Sequence, residues 1–179
     1  GVEYSLETAY GLPEFDTPGF QTKLLVQGLR SAGAGDVKHA VVFNPGQGHL
    51  PVWLSRSFPP EKVTLVDRDM LSLRYSAENL VRNGIAGVSV STFFQAGIKL
   101  DGQGPLNLIA GVLREAEGHG GMVLTLRQGA EQLAPEGRMV VAASSTGATR
   151  LARKLASEGW LRVEKRIKRK GNTALVLKR

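Results

Sequence analysis

Cysteine is absent from the 179 residues, and histidine occurs only three times. The first absence excludes a disulfide framework, a cysteine-based metal centre and a thiol nucleophile. The histidines, His39, His49 and His119, lie too far apart to suggest the ligand spacing of a zinc site. No apolar run approaches the ~18 residues of a spanning helix, so no membrane association is expected. The opening "GVEYSLETAY" lacks the basic region and apolar run of a secretory leader. With the missing cysteines, this makes a cytoplasmic location the expectation. Gly1 in place of methionine fits a processed end or one domain of a larger protein. The 22 glycines follow no three-residue period, which excludes a collagen-like chain.

What is present suits one folded domain. Hydrophobic residues make up 42% of the chain, enough for one substantial core at roughly 100–200 residues per domain. Acids are the minority charge, 16 against 23 Lys and Arg, for a net +7. Much of the excess sits at the end, where "WLRVEKRIKRKGNTALVLKR" (160–179) holds eight basic residues and one Glu. Such a stretch suits RNA or DNA phosphates. A solvated, solubilising edge is the competing explanation.

Residues 1–16 show no stable period and are expected to form an irregular arm, with the domain proper over 17–179. The stripe Phe20, Leu24, Leu25, Leu29 predicts a helix within 17–33, ended by Gly33 and Gly35. "HAVVF" (39–43) and "KVTLVD" (62–67) read as strands flanking a helix with Pro51 in its first turn. A helix over 70–84 is closed by Asn83–Gly84. Strands are expected at 87–91, 105–113 and 138–144. "REAEGHGG" reads as a loop, and helices follow at 122–133 and 146–160. "LRVEKRI" (161–167) and "NTALVLKR" form a closing strand pair.

Repeated strand–helix units imply a Rossmann-like, seven-stranded, mostly parallel sheet. Helices cover both faces, and the C-terminal edge is antiparallel. Ligands in such sheets sit beyond the carboxyl ends of the strands. That position gathers "NPGQGH" (44–49), Asp67 and the loops after residues 91 and 113. Gly46 and Gly48 match the first two glycines of a dinucleotide fingerprint, but Pro51 holds the third place. No Gly-Lys-Ser/Thr follows, so a P-loop is excluded as well. Two glycines still allow close backbone approach by an adenosine-type cofactor without a pyrophosphate. Asp67 follows by about 20 residues at the end of the second strand, where a carboxylate accepts from ribose hydroxyls.

These segments resemble class I S-adenosylmethionine-dependent methyltransferases of the small-domain type. They are most similar to bacterial ribosomal RNA guanine-N2 methyltransferases. "TPGFQTKLLVQGL" (17–29) resembles the family's Pro-Gly-Val-Phe segment and the helix after it. "VVFNPGQGHLP" (41–51) takes the place of its glycine loop, and "VTLVDRDMLSLRYSAENLVRNG" (63–84) is the closest stretch. "GHGGMVLTLRQGAEQLAPEGRMVVAAS" (118–144) resembles the helix–turn–strand after the catalytic loop. The resemblance implies S-adenosylmethionine as cofactor, held by Asn44, Gly46, Gln47 and Gly48 in the loop and by Asp67 with Arg68 at the ribose. It also implies an adenine site near Phe93 or Phe94, which can stack, and Gln95, which can hydrogen-bond.

The departures fall at functional places. Asn44 replaces the loop's usual acid, and Leu50 its third glycine. Where the amino-methylating members carry Asn-Pro-Pro-Phe/Tyr, this chain has Val112, Leu113 and Arg114. Asn107 falls inside the preceding strand and is not that catalytic asparagine. Glu115, Glu117 and His119 are substitutes for it by position alone. Catalytic residues are therefore unassigned. The sequence implies a methyltransferase acting on RNA, with rRNA as the implied partner. The alternative is a catalytically degenerate domain that binds RNA or a partner domain. A methyltransferase acting on a small molecule or protein also stays open.

Overall fold

The computed structural model describes residues 2–33, 37–85 and 87–179. Gly1 and Gly35 lie outside the described residues. In chain order the elements are α1 (Phe20–Ala32), β1 (His39–Phe43), α2 (His49–Ser57), β2 (Lys62–Asp67), α3 (Met70–Arg82), β3 (Ser89–Phe94) and β4 (Leu106–Val112). A 3₁₀ turn (Glu115–Glu117) then leads into α4 (Gly118–Gln132), β5 (Leu133–Ser144), α5 (Ser145–Glu158), β6 (Arg162–Arg169) and β7 (Asn172–Lys178).

The strands form one seven-stranded sheet in the order β3-β2-β1-β4-β5-β7-β6. Pairings from β3 through β5 are parallel. β7 runs antiparallel between β5 and β6, so the closing pair forms the antiparallel edge, with β6 outermost. Each central strand is buried on both sides, which is why it reads as a continuous apolar run. Alternate residues serve opposite cores. Val41 and Phe43 pack with Met139, Val141 and Leu175 under α4 and α5. Ala40 and Val42 pack with Val140, Val176 and the leucines of α1–α3. α1 approaches closely because Gly28 lacks a Cβ, which would lie 2.6 Å from a Val140 methyl.

Three boundaries differ from the sequence reading. β3 extends to Phe94, pairing with β2 as far as Asp67. α4 takes in the glycines of "GHGG", and its first turn carries no side-chain cap. β5 begins at Leu133, with the register shift between Leu106 and Leu108 absorbing the 134–137 turn.

The first residues are irregular but firmly held. Three side-chain amides on α3 and the β1–α2 loop act as a substitute strand. The Oδ1 of Asn83 accepts from Ser5 N (3.2 Å), and its Nδ2 donates to Ser5 O (2.7 Å). Asn79 makes the same pair of bonds with Glu7 (2.8 and 2.8 Å), and Gln47 with Ala9 (3.0 and 2.9 Å). Alternate residues of the arm are thus held through main-chain groups, as a strand would hold them. The amides themselves are buried and satisfied, as buried polar groups require.

Candidate cofactor crevice

The crevice opens where β1, β2 and β4 end. Asn44 leaves β1 in the left-handed region (φ 49°). Its N–H donates to Val66 O (2.9 Å), and its side-chain amide donates to Val112 O (2.8 Å). One residue therefore ties together the ends of three strands. Gly46 and Gly48 continue the turn with φ of 58° and 98°. A Cβ on Gly48 would stand 3.1 Å from Ser76 Cα, so this glycine lets α3 approach the loop. A Cβ on Gly46 would stand 3.3 Å from the ring of Pro13 in the arm.

Asp67, the last residue of β2, is the electrostatic centre. Its side chain has 0% exposure, against 27% for Arg114. Arg114 grips it with both terminal nitrogens, Nη1 to Oδ1 at 3.1 Å and Nη2 to Oδ2 at 2.9 Å. Ser72 Oγ donates to Oδ2 (2.8 Å) and Asp69 N to Oδ1 (3.1 Å). Such forked, charge-assisted geometry is among the stronger polar contacts available to a protein. Asp69 in turn caps α3, accepting from Leu71 N (2.9 Å), and so fixes the helix that carries Ser72.

Two cavities meet at Asn44, and Arg114 lines the larger of them. On one side Phe43, Asn44, Asp67, Arg68, Gln95 and Ile98 enclose about 20 Å³, room for about one water. On the other, a cleft of about 390 Å³ is walled by Pro13, Leu25, Pro45, Leu50, Val112 and Leu113. Glu14 and Glu115 also reach this cleft. Both carboxylates are engaged. Glu14 accepts from Gly19 N (2.8 Å) and Thr22 Oγ1 (2.9 Å), and Glu115 accepts from Ser144 Oγ (2.6 Å). His49 braces the arm side of the cleft. Its Nε2 donates to Glu14 O (3.1 Å), and its Nδ1 accepts from the Tyr4 hydroxyl (3.1 Å). Burial, above all, keeps the His49 imidazole neutral and its pKa below the ordinary histidine value.

The residues expected at the site separate. Asn44, Gly46, Asp67 and Arg68 line the crevice. Gln47 does not: its side chain is fully buried and bonded to Ala9 and Leu12 of the arm. Phe93 and Phe94 line neither cavity. Neighbours in a strand face opposite sides, so Phe93 packs on the α4 core while Phe94 stands 61% exposed. Gln95 does reach the crevice, and its amide nitrogen donates to Lys99 O (2.9 Å). Gly48 serves helix packing. In the sequence Arg114 stands out only as part of a missing tetrapeptide, and no local pattern signals its reach to Asp67.

No protein-family model and no curated protein matches the chain. Solved structures do match. The chain is similar to the ribosomal protein L11 methylase of Lactobacillus delbrueckii subsp. bulgaricus. The TM-score is 0.75 at 17% identity, over 89% of this chain and 78% of that one. It is similar to the precorrin 8W decarboxylase of Methanobacterium thermoautotrophicum, with TM-score 0.70, 18% identity and 97% and 96% coverage. An rRNA methylase of Streptococcus thermophilus aligns with TM-score 0.64, 13% identity and 86% and 94% coverage. At such identities the likeness is one of fold, and the fold is that of class I S-adenosylmethionine-dependent methyltransferases.

Proposed function

We propose that this chain is an S-adenosylmethionine-dependent methyltransferase acting on RNA. The observation that carries the reading is the donor pair on Asp67. Each carboxylate oxygen accepts one of two parallel donors, which Arg114 supplies. The two hydroxyls of a ribose would make the same demand on this carboxylate. The guanidinium is thus a stand-in for a vicinal diol, and the carboxylate behind it is already aimed by Ser72 and Asp69. In this reading Asp67 holds the ribose. The Asn44–Gly48 backbone lies beside the amino-acid portion, and the 95–98 turn flanks the base.

Bound S-adenosylmethionine would supply an already activated methyl group. The chain's own part is to orient it and keep water away. Asn44 is neutral and committed to Val112, so charge on the cofactor's ammonium is not met there.

RNA as acceptor is supported by where the basic residues lie. β6 runs parallel to β5, so its end and the turn after it stand at the same sheet edge as the crevice. Lys168, Arg169 and Lys170 stand at that end, and Arg162, Lys165 and Arg166 precede them along the strand; all are exposed, and among the described residues none of them is in an ion pair. Lys170 Nζ stands 5.1 Å from the ring of Phe20, which opens α1 just before the cleft-lining Gln21 and Thr22.

A second reading is favoured by one observation: Arg114 belongs to the segment that replaces the base clamp, and it fills the ribose position. In that reading the domain is catalytically silent and binds RNA or a partner domain. Incubation with methyl-labelled S-adenosylmethionine and rRNA fragments separates the two. Label in RNA supports the enzyme. Salt-dependent RNA binding with no label, in wild type and in Arg114→Ala alike, supports the silent domain.

A further inference from the structure

We infer that Arg114 is an internal competitor for the nucleoside site, a latch that a ligand's 2′,3′-diol must displace from Asp67. The inference rests on the cofactor reading above and specifies how that site is controlled.

Four features make the guanidinium a removable occupant rather than a fixed wall. Among the described residues its only hydrogen-bond partner is Asp67, so one side-chain rotation frees it. Its main chain is pinned separately, because Arg114 O accepts from Glu117 N (3.0 Å) at the 3₁₀ turn. Departure therefore needs no backbone rearrangement. Asp67 keeps two donors when Arg114 leaves, Ser72 Oγ and Asp69 N, so the carboxylate stays aimed into the crevice. Finally, the side chain has somewhere to go. The 390 Å³ cleft lies on its own side and carries the carboxylates of Glu14 and Glu115, which can receive the displaced charge.

A site closed by its own side chain binds with an affinity scaled down to the fraction of molecules in which it stands open. The latch also sets selectivity. A ligand that offers Asp67 only one hydroxyl replaces two charge-assisted bonds with one, so the site favours adenosines with an intact diol.

Calorimetric titration with S-adenosylhomocysteine, wild type against Arg114→Ala, tests the latch without relying on activity. Affinity about tenfold tighter in Arg114→Ala is expected. In that variant, adenosine should also bind better than 2′-deoxyadenosine. Equal affinity for S-adenosylhomocysteine in both proteins would overturn the latch while leaving the cofactor reading standing. No binding by either folded protein up to millimolar ligand would overturn the cofactor reading and the latch with it. If Arg114→Ala fails to fold, Arg114→Lys serves instead. A lysine cannot fork onto both oxygens, so affinity should rise, and an unchanged or weaker affinity would overturn the latch.

Discussion

The two halves of the crevice lie at the same strand ends and share one residue, Asn44, yet one holds about 20 Å³ and the other about 390 Å³. The smaller half holds a fully buried carboxylate, Asp67, with four donors, one pair of them from a side chain 47 residues away in sequence. The larger half has a mostly apolar lining drawn from α1, the arm and the end of β4. Half of the donors on that carboxylate come from Arg114 alone. A change in a single side chain is therefore enough to alter its setting, whereas the larger half is walled by many side chains from α1, the arm and the end of β4.

The largest effect is expected at the β1–β4 pairing that leads into both halves, where Phe43 lies opposite Gly111. A Cβ on Gly111 of β4 would lie 2.3 Å from Phe43 O, a main-chain atom that cannot yield. Gly111→Val should cost more than about 3 kcal/mol in urea unfolding and disorder both halves together. Next is Arg114→Ala, which leaves Asp67 without its counter-charge. It should cost about 3 kcal/mol, with the loss recovered in part by a diol-bearing ligand. Asn79→Ala removes bonds to Glu7 N, Glu7 O and Gln47 O. It should cost about 2 kcal/mol. Hydrogen exchange should rise in the arm and the larger half while the amides around Asp67 stay protected.

Acid gives a smaller, graded effect. Burial lowers the pKa of both His49 and His39. The unfolded chain therefore takes up protons first, and stability is complete above about pH 6.5 and falls as the pH drops below it. His49→Gln should reduce that acid sensitivity, read as the change in Tm between neutral and mildly acidic buffer. The smallest effect is expected at the basic edge. Lys170→Ala should leave stability unchanged and lower the salt slope of RNA binding by about one unit.

Much of this is legible in the residues. β1 and β2 announce themselves as β-branched apolar runs, and glycines mark the turn after one as Asp67 marks the end of the other. Pro51 is tolerated in α2 because it sits in the first turn, as expected. What cannot be read is long-range. Gln47 sits between two loop glycines and looks like a ligand-facing residue, but its partner is an arm 38 residues earlier. Phe93 and Phe94 look like one aromatic site if the strand ends at residue 91; pairing with β2 carries it through both rings. "GHGG" reads as a loop because glycine disfavours helix, yet its last residues precede a buried face, Met122, Thr125 and Leu126, that holds the helix in place. Arg114 carries no motif of its own, and only the fold brings it to Asp67.

The measurement that bears most directly on the account is a double-mutant cycle between Arg114→Ala and Asp67→Asn, read by urea unfolding without ligand. If the forked pair holds as the structure shows it, the two changes are strongly non-additive, with a coupling of at least about 1 kcal/mol. Additive effects within about 0.3 kcal/mol would mean that the two side chains do not hold one another and would contradict both the ion pair and the latch built on it.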